Sequence, residues 1–199
     1  MNKRLRLLFS YPADYQFFQT YGDNPVLLPA NKLVSRAERW HVFLQFSPEE
    51  NNSMKDGKLG LALVGLGTYS QEELGPALQQ TEHCYLAGIV SGSPEKTRQW
   101  QQQYHLPGTA CYTYETFHSM RDNPAIDIVY VVLPNALHAE WVIRAARAGK
   151  HVICEKPMAI TLEECDRMIA ACNEAGKMLS IGYRLHFEPH NREVMRLGQ

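Results

Sequence analysis

A glutamate, a lysine and a proline stand together directly after a short apolar run, as Glu155-Lys156-Pro157. A partly buried lysine beside a carboxylate can hydrogen-bond an oxygen whose carbon gains or loses hydride, and so stabilise the charge that develops there. On a solvated surface the same two charges would form an ion pair of little consequence. Their position just past a strand favours a catalytic role for Lys156, with Glu155 orienting it.

A second group with chemical potential is a pair of closely spaced glycines in Gly65-Leu66-Gly67-Thr68-Tyr69, which follows the apolar residues 61–64. Gly65 can take a sharp turn, and Gly67 lets a pyrophosphate approach the main chain where a helix begins. The third glycine of the dinucleotide-binding pattern is replaced by Ser70, which is still small enough for close packing of a helix on a strand. By itself the loop is equally compatible with a structural corner.

The tip of the next strand, Val90-Ser91-Gly92-Ser93, carries no acidic residue before Glu95. An NAD-specific site usually offers a carboxylate to the ribose hydroxyls at this place, and that carboxylate would repel a 2′-phosphate. Here Ser91 can donate a hydrogen bond to such a phosphate and Lys96 can supply positive charge, which favours NADP over NAD. The competing interpretation is that Ser93 only caps a helix and that Lys96 is a solvated surface charge.

Leu133-Pro134-Asn135 and His138 follow another apolar run. Asn135 is a candidate helix cap, and a lone histidine in a first helical turn is more often a packing residue than an acid or a base. Both residues nevertheless remain candidates to line the nicotinamide side of a cleft, because ligands bind beyond the carboxyl ends of the strands in sheets of this type.

Positioning these groups requires strands that alternate with helices, and from Leu59 onward the sequence has that pattern. Near-continuous branched apolar runs suit parallel strands covered on both faces. The pattern therefore predicts an α/β fold of the Rossmann type, a doubly wound parallel sheet. Strands are expected at residues 59–64, 85–90, 109–112, 126–133, 151–154 and 178–182, and helices at residues 71–80, 94–104, 137–148 and 162–175.

Composition excludes several classes of protein. The chain is 45% hydrophobic with a net charge of -1 and no dense basic block, so a nucleic-acid partner is not expected. No apolar run is long enough to span a bilayer. The cysteines are odd in number and lack a Cys-x-x-Cys pair, which argues against a disulfide framework or a metal site and favours the cytoplasm. They are Cys84, Cys111, Cys154, Cys165 and Cys172.

Residues 1–57 have no sustained period of either kind, and we treat them as an N-terminal extension. Three hypotheses remain open for it: an arm that docks on a partner subunit, a disordered leader, or an artefact of start-site choice, with Met54 as the native start. We expect residues 58–183 to form an NAD(P)-binding Rossmann domain.

The combination of these motifs resembles the nucleotide-binding half of the Gfo/Idh/MocA oxidoreductases over residues 59–197. The resemblance rests on Gly65-Leu66-Gly67, on Leu133-Pro134-Asn135 with His138, and on Glu155-Lys156-Pro157. Within the family the likeness is greatest to the glucose-fructose oxidoreductases, through Val90-Ser91-Gly92 and Ile181-Gly182-Tyr183-Arg184.

The resemblance implies several roles that the residues alone do not indicate. It implies NADP contacts at Tyr114 and Arg184, hydride transfer at a sugar or polyol carbon with help from Lys156, and a cis peptide bond at Lys156-Pro157. The residues assigned to the cofactor are then Gly65, Leu66, Gly67, Thr68, Tyr69, Ser91, Lys96, Tyr114, Leu133, Asn135, His138, Glu155, Lys156 and Arg184, with Lys156 and Glu155 also catalytic.

The sequence departs from the family after Tyr183, where only sixteen residues remain of 199. Members of the family continue into a second domain, which supplies the substrate site, the usual acid–base residue and the interface of homo-oligomers. The resemblance thus implies that residues 184–199 begin the connection to that domain. We therefore expect a truncated NADP-dependent oxidoreductase, inactive alone, that lacks this C-terminal substrate domain. The alternative hypothesis is a non-catalytic nucleotide-binding module or a degenerate gene product.

Overall fold

A six-stranded parallel sheet forms the centre of the computed structural model, which describes residues 57–198. The spatial order of the strands is β3-β2-β1-β4-β5-β6, and all neighbouring strands run parallel. This is the order of a doubly wound Rossmann sheet, as the sequence predicts. The strands are β1 (Leu59–Val64), β2 (Cys84–Val90), β3 (Cys111–Tyr112), β4 (Ile128–Val131), β5 (His151–Cys154) and β6 (Leu179–Ile181).

Helices connect the strands and cover both faces of the sheet. The α-helices are α1 (Gly75–Leu78), α2 (Pro94–Gln103), α3 (His138–Arg147), α4 (Leu162–Glu174) and α5 (Pro189–Leu197). A π-helical turn, Ser70–Leu74, precedes α1, and 3₁₀ turns span Gly108–Ala110, Phe117–Asp122, Asn135–Leu137 and Arg184–Phe187. All residues of β1 are buried, because the strand lies in the middle of the sheet between two apolar layers.

The first helix differs from its prediction in its internal geometry. The Gly75 N–H donates to the Ser70 carbonyl, five residues back, so the helix begins as a π turn and becomes α-helical afterwards. Pro76 then lies in the first turn of α1, where its missing N–H costs little. A Cβ on Gly75 would lie 2.3 Å from the Tyr104 hydroxyl, so glycine lets the helix pack closely against an aromatic side chain.

The sequence around α4 predicts a capping box and one apolar stripe, and the two predictions have different outcomes. The box is Thr161 with Glu164, and the stripe is Leu162, Cys165, Met168, Ile169 and Cys172. The Thr161 Oγ1 accepts a hydrogen bond from the Glu164 N–H at 3.2 Å, as a capping box requires, and the Glu164 carboxylate accepts from the Ile160 N–H at 3.1 Å. The predicted apolar stripe, however, is wrong at Leu162, which is 79% exposed. Burial reaches its full extent only at Met168, because the first turn of the helix lies beyond the packed layer.

The central strand β4 is shorter than the predicted residues 126–133, since pairing with β1 and β5 covers only Ile128–Val131. The predicted N-terminal extension, residues 1–57, lies outside the described residues apart from Gly57. Within the described part of the chain, no helix is both long and apolar enough to cross a bilayer.

The five cysteines are all free thiols. Cys154 and Cys172 are buried in the layer of core residues that also contains Met168 and Trp141. Burial raises the pKa of each of these two thiols to about 12, and the Glu155 carboxylate adds to the effect at Cys154. Both therefore stay protonated near neutral pH and act as small packing groups.

Candidate functional site

The carboxyl ends of the six parallel strands share one edge of the sheet. The chain runs outward in opposite directions from β1 and β4, which are neighbours in space, so a crevice opens between the segments that follow these two strands. Every sequence-predicted site residue comes from a segment that follows a strand, so the topology directs all of them to this edge.

Gly65 and Gly67 serve different needs in the loop after β1. Gly65 has φ +97°, and a Cβ there would lie 2.2 Å from the Val132 carbonyl oxygen, so the backbone itself demands glycine. A Cβ on Gly67 would meet nothing within 4 Å, so the protein leaves this place open. An open, exposed backbone at the switch point fits a bound pyrophosphate.

Ser70, which replaces the third glycine, is fully buried. Its hydroxyl donates to the Gly65 carbonyl oxygen at 2.6 Å and so fixes the turn from inside. Leu66 is buried, whereas Thr68, which directly follows Gly67, is exposed.

The tip of β2 is joined to the glycine loop by Lys96. The Ser93 hydroxyl accepts from the Lys96 N–H at 3.3 Å and caps α2, which confirms the capping prediction. The Lys96 ammonium donates to the Leu66 carbonyl oxygen at 3.1 Å. Lys96 is an exposed residue, and this bond directs its ammonium toward the glycine loop. The Ser91 Oγ accepts from the Ser93 N–H at 3.1 Å, which leaves the Ser91 O–H proton free to donate to another group.

Tyr114 lies at the same end of the crevice as Ser91. A Cβ on Gly92 would come within 3.1 Å of the Tyr114 ring, so glycine permits this approach. The Tyr114 ring also packs against the Trp141 ring, with the two centroids 4.9 Å apart. Tyr114, which the residue pattern alone does not indicate as a site residue, therefore packs beside the tip of β2 that carries Ser91.

Glu155 begins the segment after β5, and its carboxylate is buried. Its Oε1 accepts from the Tyr130 hydroxyl at 2.6 Å, and its Oε2 accepts from the backbone N–H of Lys156 at 3.2 Å. Glu155 therefore orients the main chain of Lys156; among the ion pairs of the described residues there is none between the two side chains. The Lys156 side chain is exposed, and the Lys156-Pro157 bond is cis.

Tyr69 and Arg184 approach this cluster from the glycine loop and from the segment after β6. The Arg184 guanidinium carbon lies 5.9 Å from the centroid of the Tyr69 ring. The pKa of the Tyr69 phenol is raised, first by burial and then by the Glu155 carboxylate, while Arg184 opposes the shift. Tyr69, Glu155 and Arg184 are therefore close enough to influence one another electrostatically.

His138 is fully buried, so it supports the crevice from behind and does not line it. Its Nδ1 lies 2.8 Å from the Pro157 carbonyl oxygen, and its Nε2 lies 2.8 Å from the Leu133 carbonyl oxygen. The ring thus bridges the segments that follow β4 and β5. Because both partners only accept, a neutral ring can donate to one of them and an imidazolium to both.

Asn135 is exposed at the start of a 3₁₀ turn. The capping interpretation for Asn135 is wrong: neither this turn nor α3 has a side-chain cap bond, and the residue before the turn is Pro134. Asn135 is left at the strand tip next to Leu133. In the described part of the chain, no cluster of three histidine, cysteine or acidic residues could hold a metal ion.

Residues 59–183 match the family model described as "Oxidoreductase family, NAD-binding Rossmann fold", the Gfo/Idh/MocA group. The chain belongs to this family. A D-xylose 1-dehydrogenase [NADP(+)] of Haloarcula marismortui is 35% identical over 148 residues, which are 74% of this chain and 41% of the relative. The chain thus spans about two fifths of the length of that relative.

Solved structures give the same result. An aldose-aldose oxidoreductase of Caulobacter crescentus, complexed with glycerol, is 53% identical, with a TM-score of 0.69 over 70% of this chain and 42% of the other. KijD10, a 3-ketoreductase of Actinomadura kijaniata in complex with TDP-benzene and NADP, is 26% identical, with a TM-score of 0.63 over 70% of this chain and 43% of the other.

Proposed function

We propose that this chain is the cofactor-binding part of an NADP-dependent oxidoreductase that transfers hydride between the nicotinamide and a sugar or polyol carbon. The observation that carries the proposal is Lys96, whose ammonium reaches from α2 to the glycine loop, 3.1 Å from the Leu66 carbonyl oxygen. A charge held at this position, next to a strand tip without a carboxylate, suits the 2′-phosphate of NADP.

The pyrophosphate of the cofactor would lie on the backbone of Gly67, Thr68 and Tyr69. Ser91 would donate its free O–H proton to the 2′-phosphate, Lys96 would neutralise the phosphate charge, and Tyr114 would contact the adenosine. The nicotinamide would then reach the opposite end of the crevice. The residues there are Leu133, Asn135, Glu155, Lys156 and Arg184.

When bound, the cofactor would accept the hydride as NADP⁺ or supply it as NADPH. Lys156 would donate a hydrogen bond to the substrate oxygen whose carbon gains or loses hydride, and so stabilise the charge that develops on that oxygen. Its ammonium has no hydrogen-bond partner among the described residues, so it is free for this contact. Glu155 would keep the Lys156 main chain in place through the 3.2 Å bond to its N–H.

The printed names of the relatives support the substrate class and the cofactor. One is a D-xylose 1-dehydrogenase that uses NADP, one is an aldose-aldose oxidoreductase, and one 3-ketoreductase was solved with NADP. The chain spans about two fifths of the length of these proteins. We therefore infer that these 199 residues by themselves bind NADP but do not catalyse the reaction. Residues 58–183 would form the binding domain and residues 184–199 the connection to the substrate domain.

We also propose that the protein works in the cytoplasm, does not bind nucleic acid, and forms homo-oligomers when joined to a substrate domain. The five free thiols support a reducing compartment, and the net charge of -1 gives no support for nucleic-acid binding.

A chimera tests the catalytic part of the proposal. Residues 58–183 would replace the matching part of the Caulobacter aldose-aldose oxidoreductase, and NADPH binding and aldose turnover would be measured for the chimera and for the 199-residue chain. We expect both proteins to bind NADPH and only the chimera to turn over, with a loss of at least about 100-fold in the Lys156→Ala chimera. A chimera that binds NADPH but shows no turnover would favour the non-catalytic alternative.

A further inference from the structure

Tyr130 is a polar residue in the middle of the apolar strand β4, and the site described above gives it no role. Its hydroxyl donates to the Glu155 Oε1 at 2.6 Å, the length of a strong hydrogen bond to a charged acceptor. Buried polar groups are nearly always hydrogen-bonded, and here Glu155, directly after β5, provides the partner of the Tyr130 hydroxyl.

The segment directly after β6 leaves room for this bond. A Cβ on Gly182 would lie 3.0 Å from the Glu155 Oε1 and 3.0 Å from the Tyr130 hydroxyl. Both distances are shorter than an ordinary contact, so a larger residue at this position would push the two groups apart. The segment after β6 is therefore shaped to the pair that β4 and β5 form.

Glu155 needs such a donor because its charge is buried. It belongs to none of the ion pairs of the described residues, and its two oxygens accept from the Tyr130 hydroxyl and the Lys156 N–H. An unsatisfied buried carboxylate would turn toward solvent or draw a proton. The Tyr130 pKa is raised by burial and by its bond to Glu155, so the phenol remains a donor.

We propose that Tyr130 is a positioning residue for the nicotinamide end of the site. It holds the Glu155 carboxylate in the orientation that fixes the main chain of Lys156, and it acts on the cofactor through Glu155. This inference rests on the proposed function, because the nicotinamide is what the positioned residues would contact.

The test compares two ligands by isothermal titration calorimetry on the 199-residue chain. NADPH carries the nicotinamide, whereas adenosine 2′,5′-bisphosphate carries the 2′-phosphate without it. We expect Tyr130→Phe to weaken NADPH binding roughly tenfold, as loss of a hydrogen bond to a charged group does, and to leave the bisphosphate unaffected. Tyr85→Phe is the matched control, since the Tyr85 hydroxyl donates to the Ala125 carbonyl oxygen at 3.2 Å, and it should change neither affinity.

Two further variants separate positioning from packing. In a Glu155→Ala background, Tyr130→Phe should cause no additional loss of NADPH affinity, whereas a packing role would cause the same loss in both backgrounds. Gly182→Ala, which crowds the pair from the β6 side, should reproduce the selective loss of NADPH. Equal weakening of both ligands by Tyr130→Phe, or no weakening, would overturn the inference. Failure of the wild-type chain to bind either ligand would overturn the proposed function instead.

Discussion

Lys96 is the residue on which the choice of cofactor depends. Replacement by alanine removes the ammonium that donates to the Leu66 carbonyl oxygen, and we expect NADPH affinity to fall at least tenfold while NADH affinity changes less than twofold. Lys58→Ala is the matched control, because the Lys58 ammonium also donates to a carbonyl oxygen, that of Thr81, at 2.9 Å. Competition titrations of the three proteins measure the effect. Equal losses for both cofactors would make Lys96 a structural residue.

His151 makes the stability of the fold sensitive to acid. Burial first, and then the Lys177 charge, lowers the pKa of His151 from 6.5 to about 4, and its Nδ1 accepts a hydrogen bond from the Met178 N–H at 3.1 Å. The unfolded chain takes up a proton near pH 6.5 that the folded chain resists. The stability that neutral His151 contributes to the fold is therefore fully present above pH 6.5 and is lost as the pH falls toward 4.

From this shift we expect the free energy of unfolding to fall by up to about 3 kcal/mol between those pH values on account of His151. His151→Gln keeps an acceptor for the Met178 N–H but does not titrate, so its stability should fall less steeply. Urea unfolding at a series of pH values measures both slopes. Parallel curves for the two proteins would contradict the assignment.

Single residues with a fixed local role were predictable from the sequence. The Ser93 cap and the Thr161 cap follow from short-range chemistry, and both are confirmed. Tyr130 was not predicted, because its partner Glu155 is 25 positions away and meets it only through strand pairing. A polar tyrosine inside an otherwise aliphatic strand is the one signal that could have directed attention to it.

In the loop between β1 and the first helix, we expect Gly65 to be needed for stability and Gly67 for cofactor binding. Two alanine variants test this difference. Gly65→Ala places a Cβ 2.2 Å from the Val132 carbonyl oxygen at a positive φ, so we expect a loss of about 2 kcal/mol or more in the free energy of unfolding. Gly67→Ala meets nothing within 4 Å, so it should unfold like the wild type but bind NADPH at least tenfold more weakly. Urea unfolding and calorimetric titration give the two quantities. A destabilised Gly67→Ala, or one that binds normally, would contradict this division.

The segments after β4 and β5 are held together by His138. In His138→Ala a cavity replaces the buried ring that lies between the Leu133 and Pro157 carbonyl oxygens, so we expect destabilisation by about 3 kcal/mol. His118→Ala is the matched control, because exposed His118 also lies 2.9 Å from a carbonyl oxygen, that of Glu115, and its loss should cost less than about 0.5 kcal/mol. Equal stabilities of the two variants, measured by thermal or urea unfolding, would rule out this bridging role.

Most helices and strands follow from the apolar pattern, and β5 has the predicted bounds. The apolar pattern does not predict the π turn before α1, because the close approach of Gly75 to Tyr104, directly after α2, is a tertiary contact that local periodicity does not show. Nor does it contain the exposure of Leu162, because periodicity states which residues share a face and not how far a packed layer extends.

At the level of the whole molecule, the sheet order follows from the alternation of strands and helices together with the glycine loop. Right-handed crossovers leave few other arrangements for such a chain, and the observed order is the doubly wound one. The substrate is not encoded in the matched residues, because the relatives continue well beyond them. We therefore propose cofactor binding for these 199 residues and assign no particular sugar to them.

Direct titration of the wild-type chain with NADPH and with NADH, followed by the fluorescence of the bound nicotinamide, is the measurement that tests this claim most directly. We expect saturable binding of NADPH and at least tenfold weaker binding of NADH, because Ser91 and Lys96 would recognise the 2′-phosphate. Tighter binding of NADH would contradict the specificity argument, and no binding of either would contradict the assignment of the site itself.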